Sequence, residues 1–526
     1  MSKNKLVNLD AMIQRADFAV IDNNQMAQNK KLKELITLPD LEKESLFFPN
    51  LRKPDFQRET NHWAPEQIVS LIKCFCDEDL IPSVILWSSS TTIFVIDGGH
   101  RLSALRAWIL DDYGDGALSQ EYFGYNITDS QKRVAIETRK QIAEHVGSWS
   151  YWKGINQLKD APEEKRSKAK SLASTGIQVQ WVYGDADKAE SSFYKINRQG
   201  TPLDNIETLL IRNRKKPGAI AARSIIRAGM GNKYWSGFPA EIKVQIEEKA
   251  KKIYEIIFEP EFTPPIKTLD LPLGGGIGIR NSLSLLIDLI LLSNKNQLGE
   301  PSSMEQETED ENGTLTLRVL EKTLNLVKCM TGNENGSLGL HPVVYFYGPS
   351  GQHSIPLFMG IAGLIAKKLV NNDKEFFYKF TKSRVELEKI LISNKRLLAT
   401  IIQNTRSVKR HEMISNLFSY LIDSINSNKI PTEQDIVKNS GVTGKVITGF
   451  AESGNTKFND DTKSAVYIRN ALKNAMRCSI CDGYLDTQKS VSYDHKIPVK
   501  SGGLGVEDNC QLTHPFCNQS FKDRML

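Results

Sequence analysis

Four of the chain's seven cysteines crowd into one short C-terminal segment as Cys478, Cys481, Cys510 and Cys517, while Cys74, Cys76 and Cys329 are scattered among apolar, helix-patterned residues. A disulfide framework would spread its cysteines along the fold, so this placement points to a metal site. Cys478-Ser479-Ile480-Cys481 and His514-Pro515-Phe516-Cys517 are two knuckles with two intervening residues each, the arrangement that closes a tetrahedral zinc site. Such a site staples a domain too small to stand on its own hydrophobic core. Cys478, Cys481, His514 and Cys517 are the favoured zinc ligands, with Cys510 as an alternative to His514 because structural zinc prefers thiolates.

A stapled tail accounts for little of a 526-residue chain, which is too long for one core and implies two to four domains. With 40% hydrophobic and 25% charged residues the chain has ordinary globular composition. A formal net charge of +6 permits nucleic-acid contact without the basic excess of a histone-like protein. Met-Ser-Lys-Asn-Lys opens a polar stretch without a leader pattern. The best apolar run, Leu283 to Leu292, is too short for a membrane span and carries Ser284 and Asp288. A cytoplasmic protein without membrane contact is therefore expected.

The pattern divides the chain into a charged helical arm (1–45), a mixed sheet-and-helix domain (46–216), a mainly helical domain (217–438), a Gly/Asn/Asp/Thr-rich linker (439–463) and the Cys/His segment (464–526). In the mixed domain Ile68, Leu71, Ile72 and Phe75 recur at helical spacing, and strands are expected at Ile81–Trp87, Thr91–Ile96 and Ile177–Tyr183. Amphipathic helices are expected at Ile220–Ala228, Ile242–Ile257, Leu283–Leu292, Leu315–Met330, Phe358–Val370, Phe376–Leu391 and Met413–Ile425. The glycine run from Leu273 to Arg280 lacks the Lys-Ser/Thr pair of a phosphate loop and reads as a flexible interdomain turn. The basic clusters Arg212, Arg214, Lys215, Lys216 and Arg406, Lys409, Arg410 suit DNA phosphates and equally suit solvated helix ends. His62, His145, His341, His353 and His411 have no partner at ligand spacing and read as surface or packed residues.

Between the two knuckles lie residues that a structural zinc does not need. Asp494 and His495 follow strand-like Val491-Ser492-Tyr493, so their side chains should point to opposite sides and serve different tasks. Asp494 offers hard oxygens to a divalent cation such as Mg²⁺, and neutral His495 suits proton removal from a water attacking a phosphodiester. Asn518, at the start of a terminal helix, offers its amide oxygen to the same cation. This run of CxxC, Asp-His, a loop Asn and a terminal Cys-Asn resembles the HNH endonuclease family and its zinc-stapled ββα-metal finger. The resemblance implies His495 as general base, Asp494 and Asn518 as ligands of a catalytic Mg²⁺ or Mn²⁺, and Asn509 as the residue that holds the loop. The basic position usual shortly after Cys-Asn is displaced here to Lys522 and Arg524.

A second constellation is Asp97-Gly98-Gly99-His100-Arg101, where a strand meets a helix. Two glycines let backbone amides approach a phosphate at the helix N-terminus, Arg101 adds charge, and Asp97 suits a cation, a ribose or a water. With Phe56-Gln57-Arg58 and Trp63 upstream and Phe193, Asn197, Arg198, Gly200, Thr201, Pro202 and Leu203 downstream, residues 46–216 resemble the ParB/sulfiredoxin-like nucleotidase domain of GmrSD- and SspE-type restriction proteins. The resemblance implies an α+β fold and a nucleoside triphosphate site lined by Gln57, Arg58, Asp97, Gly98, Gly99, His100, Arg101, Asn197 and Arg198. Gly99 and His100 stand where that family has paired glutamines, which removes an amide suited to placing the attacking water. Together the resemblances imply a nucleotide-regulated, metal-dependent endonuclease restricting modified or foreign double-stranded DNA in bacterial antiphage defence, with self-association left open. The rival readings are a nucleotide-switched DNA clamp with a non-cutting finger and a mobile-element or repair nuclease.

Overall fold

The computed structural model describes residues 6–16, 18, 32–55, 57, 60, 63–89, 92–125, 127–155, 161–199, 205–230, 234–276, 279–294, 303–442 and 458–522. The chain forms two compact units, one of residues 1–214 with 230–234 and one of residues 215–229 with 235–526.

The first unit is built on a mixed sheet in the order β1-β3-β5-β4-β6-β2. Its strands are β1 (Arg15–Ala16), β2 (Leu35–Thr37), β3 (Leu51–Pro54), β4 (Val84–Ser88), β5 (Ile93–Asp97) and β6 (Gly176–Val182). β3 lies parallel to β1 and β5, β4 is antiparallel to β5 and parallel to β6, and β2 closes the edge antiparallel to β6. Side chains alternate between the faces: Val84, Leu86 and Val95 join one buried cluster, Trp87, Phe94 and Ile96 another. The helix Pro65–Cys76, with proline at its first position, buries Ile68, Ile72 and Phe75 against the first cluster.

The described residues of the expected helical arm, 6–16, 18 and 32–45, differ from that expectation. They supply β1, β2 and buried Val7, Leu9, Met12 and Ile13. Short edge segments carry too few residues for a period to show, and their burial depends on partners distant in sequence, as in the bridge from Val7 to Trp63.

The second unit is mainly helical, with helices Pro217–Ile226, Ala240–Phe258, Ile279–Ser293, Thr314–Met330, Ile355–Val370, Lys374–Ser393, Lys395–Asn404 and Arg410–Asn426. The described start of the glycine run, residues 273–276, is packed rather than flexible, and it lies inside this unit. Leu271 and Leu273 are buried, and a Cβ on Gly275, at φ +81°, would sit 2.7 Å from the His353 ring. His353 Nε2 lies 2.8 Å from the Leu273 carbonyl, and burial pushes its pKa down to about 4. His341 is likewise buried.

Most of the expected linker, residues 443–457, lies outside the described residues. The helix Asp460–Lys473 then leads into the antiparallel hairpin β7 (Ser492–His495) and β8 (Cys510–Thr513) and the π-helical turn Cys517–Phe521. This segment belongs to the same compact unit as the helices. No helix among the described residues is long and apolar enough to cross a membrane.

Candidate functional site

The C-terminal knuckles meet as the sequence spacing requires. One ligand atom from each of Cys478, Cys481, His514 and Cys517 lies within 4.8 Å of every other, a spread that fits a tetrahedral metal with ligand bonds of about 2.0 to 2.3 Å. The first knuckle turns tightly, with the Asp482 amide donating to Cys478 O and the Cys478 amide to Gly483 O, both at 2.9 Å. His514 Nε2 faces the Tyr484 carbonyl at 3.0 Å, which leaves Nδ1 directed at Cys481 Sγ (3.4 Å) and Cys517 Sγ (3.8 Å). Burial keeps this imidazole neutral, as a ligand must be. Hydrogen bonds from the Cys481 and Cys517 thiols lower the Cys478 pKa, the direction that suits a metal-binding thiolate. Cys510 is exposed on β8, paired across the hairpin with His495, and stands apart from this cluster. The four residues could hold zinc, and it is His514 rather than Cys510 that lies with the three cysteines.

The hairpin beside the cluster carries the other candidates. Alternation along β7 leaves Tyr493 exposed, buries Asp494 and half-buries His495. Asp494 pairs with Gln511 on β8, whose amide donates to Oδ2 at 2.8 Å. Lys522 Nζ donates to both Asp494 oxygens at 2.9 and 2.8 Å and to the His495 carbonyl at 2.7 Å. An ammonium already accommodated against this carboxylate marks a place suited to positive charge, and a divalent cation taking Asp494 would displace it. Asn518, in the turn after Cys517, donates to Ser492 Oγ at 2.8 Å and to Tyr493 O at 3.2 Å. Asn509 is buried; its Oδ1 accepts from the Ile497 amide at 2.7 Å and its Nδ2 donates to the carbonyls of Leu504 (2.8 Å) and Ile497 (3.2 Å). Those three bonds close the loop that begins two residues after His495. Arg524 lies outside the described residues.

In the first unit, β5 ends at Asp97, Gly98 adopts φ +96°, and the helix Gly99–Leu110 begins. A Cβ on Gly98 would lie 2.8 Å from Val84 Cγ2, so glycine is required there for space as well as conformation. Arg101 Nη2 is bonded to Asp97 Oδ2 at 2.7 Å and to the Ser83 carbonyl at 3.1 Å. The Gln57 amide lies against Gly99, its buried Oε1 without a hydrogen-bond partner among the described residues, and the Trp63 ring lies against His100 with centroids 5.4 Å apart. Thus Gln57, Asp97, Gly98, Gly99, His100 and Arg101 gather around one helix N-terminus. Arg58 lies outside the described residues, as do the side chains of Asn197 and Arg198 on the helix Ala186–Gln199.

Residues 35–214 match the family model of the GmrSD restriction endonuclease, N-terminal domain. The first unit therefore carries a GmrSD-type N-terminal domain, and the match spans well under half of the 526 residues. Neither the curated proteins nor the solved structures give a match to the chain.

Several participants escaped the sequence reading. Asp10 receives hydrogen bonds from Arg15 (2.7 Å), Lys53 (2.8 Å) and Tyr122 (2.8 Å), and Arg15 also reaches the Gln57 carbonyl. This buried network underlies the Gln57 segment, but its members are single residues up to 112 positions apart. Lys522 and Gln511 on Asp494 are local enough that hairpin register could have revealed the second of them.

Proposed function

We propose that the chain is a metal-dependent HNH endonuclease that cuts double-stranded DNA, controlled by a nucleoside triphosphate at its GmrSD-type domain and directed in antiphage defence against modified or foreign DNA. The observation that carries the nuclease reading is the gathering of Asp494, His495, Asn509 and Asn518 on one hairpin and turn beside a Cys₃His cluster. The family match at residues 35–214 supports the restriction context.

In this reading Asp494 and Asn518 would hold a Mg²⁺ or Mn²⁺ ion, which would supply positive charge to the scissile phosphate and the leaving 3′ oxygen. His495 takes the proton from the attacking water. Asn509 fixes the loop that follows His495 and so limits the wandering of the base. Lys522, which now engages both Asp494 oxygens, would have to yield that carboxylate to a cation. At the other site, the amides at the start of the helix Gly99–Leu110 receive phosphate, with Arg101 adding charge and the Gln57 amide polar contact. The hairpin offers no evident code for base edges, so choice of DNA is assigned to the GmrSD-type domain and the helices.

The test is a cleavage assay on the full chain that crosses plain, cytosine-modified and phosphorothioate DNA with Mg²⁺, Mn²⁺ or chelator and with ATP, GTP, CTP or UTP. Metal-dependent cutting that one nucleotide changes and one DNA class favours is expected. Nucleotide-dependent DNA binding without cutting would favour the clamp, and cutting indifferent to both variables would favour the mobile-element nuclease.

A further inference from the structure

The helix Lys374–Ser393 sends two fully buried side chains of opposite charge into the cysteine knuckle. Arg384 Nε pairs with Glu388 Oε1 at 2.8 Å, each side chain 1% exposed. Arg384 also donates to the carbonyls of Leu338 and Gly339, and Tyr345 Oη donates to Glu388 Oε1 at 2.9 Å. The other carboxylate oxygen of Glu388 accepts the Tyr484 amide at 2.7 Å, and Tyr484 is the residue whose carbonyl orients His514. One ion pair thereby joins the helix, the 338–339 strap and the zinc-binding loop.

Two glycines make this approach sterically exclusive. A Cβ on Gly483 would lie 2.5 Å from Arg384 Nε, and a Cβ on Gly339 would lie 2.7 Å from His514 Cδ2. Each partner thus presents a glycine to the other's functional side chain. Further bonds continue the seam: the Phe516 amide to Ser337 O, Ser490 Oγ to Gly332 O, and the Val491 amide to Asn333 Oδ1. Charge completes the case. Three thiolates, a neutral histidine and Zn²⁺ carry a net negative charge, and burying it favours a nearby fixed cation. Burial opposes the charge on Arg384, and the Glu388 carboxylate together with the Leu338 and Gly339 carbonyls answers it.

We propose that Arg384 and Glu388 are positioning residues for the zinc site, so that metal retention in the finger depends on the helix Lys374–Ser393 and the finger is held by the helical unit rather than tethered to it. The proposal rests on zinc occupying the Cys₃His cluster. It is tested on the full chain by measuring zinc content, then zinc release to a chromogenic chelator and thermal unfolding, for wild type, Arg384→Met, Glu388→Gln, Arg384→Met/Glu388→Met and the core control Leu286→Ala. Cobalt-substituted samples report the ligand field through their thiolate charge-transfer bands.

The expected result is one zinc in wild type, release at least tenfold faster in both single variants than in Leu286→Ala, and shifted cobalt bands. The double variant should unfold nearer the wild-type temperature, because no unpaired charge is left buried, yet still lose zinc quickly. A wild-type chain without zinc overturns the site and the positioning role together. A zinc-loaded wild type whose variants release metal only in proportion to their lost thermal stability, with unchanged cobalt spectra, overturns the positioning role of Arg384 and Glu388 alone.

Discussion

Asp494 is buried, and both its oxygens are engaged by Lys522 in the same arrangement that would serve a divalent cation. Removing the competitor should therefore help the ion. Lys522→Met is expected to tighten Mn²⁺ binding about tenfold, the equivalent of one charge-assisted hydrogen bond of about 1.5 kcal/mol, and titration calorimetry on the zinc-loaded protein measures it. Weaker Mn²⁺ binding in the variant would place Lys522 among the groups that support the ion. At the proposed nucleotide site Arg101 is already held by Asp97 and Ser83, so it would meet a phosphate in a fixed pose with little side-chain freedom left to lose. Arg101→Ala is expected to weaken nucleoside triphosphate binding by about 1.5 to 3 kcal/mol, read by calorimetry across the four nucleotides. Unchanged affinity would leave that arginine as a structural partner of Asp97.

With zinc in the Cys₃His cluster, the two knuckles, the hairpin between them and the π turn after them would form one element that draws its cohesion from metal. Cys478→Ser is expected to lose zinc and to expose β7 and β8 to hydrogen exchange while the GmrSD-type domain keeps its protection, because binding and folding are one free energy in such a segment. Retained zinc by elemental analysis would remove the site. The packed glycine run gives the second unit a pH dependence. His353, with its folded pKa pushed from 6.5 to about 4, stays neutral when folded and takes a proton when unfolded. Its contribution is complete above about pH 6.5 and disappears as pH falls towards 4, on the order of 3 kcal/mol. His353→Gln should show a flatter fall in thermal stability across that window than wild type, and parallel curves would contradict the assignment. Amphipathic helices such as Thr314–Met330 were legible because the apolar residues sit on a fixed period. The Cys₃His cluster was legible because two knuckles share one short segment. The edges β1 and β2, the Asp10 network and the Arg384–Glu388 pair were not, since each takes its meaning from partners far along the chain.

Two compact units divide the labour that the proposed function needs, with the nucleotide candidates on the first and the hydrolytic candidates on the second. A cutter with no evident base code must be directed by something larger than its hairpin. A GmrSD-type domain is a part suited to that role. All of this rests on His495 acting as a base in a chain that cuts DNA. The decisive measurement is the nicking rate of supercoiled plasmid by the full chain in Mg²⁺ or Mn²⁺, wild type beside His495→Ala, with zinc content and thermal unfolding recorded for both. The proposed mechanism requires metal-dependent nicking by wild type and a loss of about a hundredfold or more in the variant at equal zinc and equal stability. Near-normal nicking by His495→Ala, or no nicking by a zinc-loaded wild type on any DNA class with any nucleotide, would contradict it.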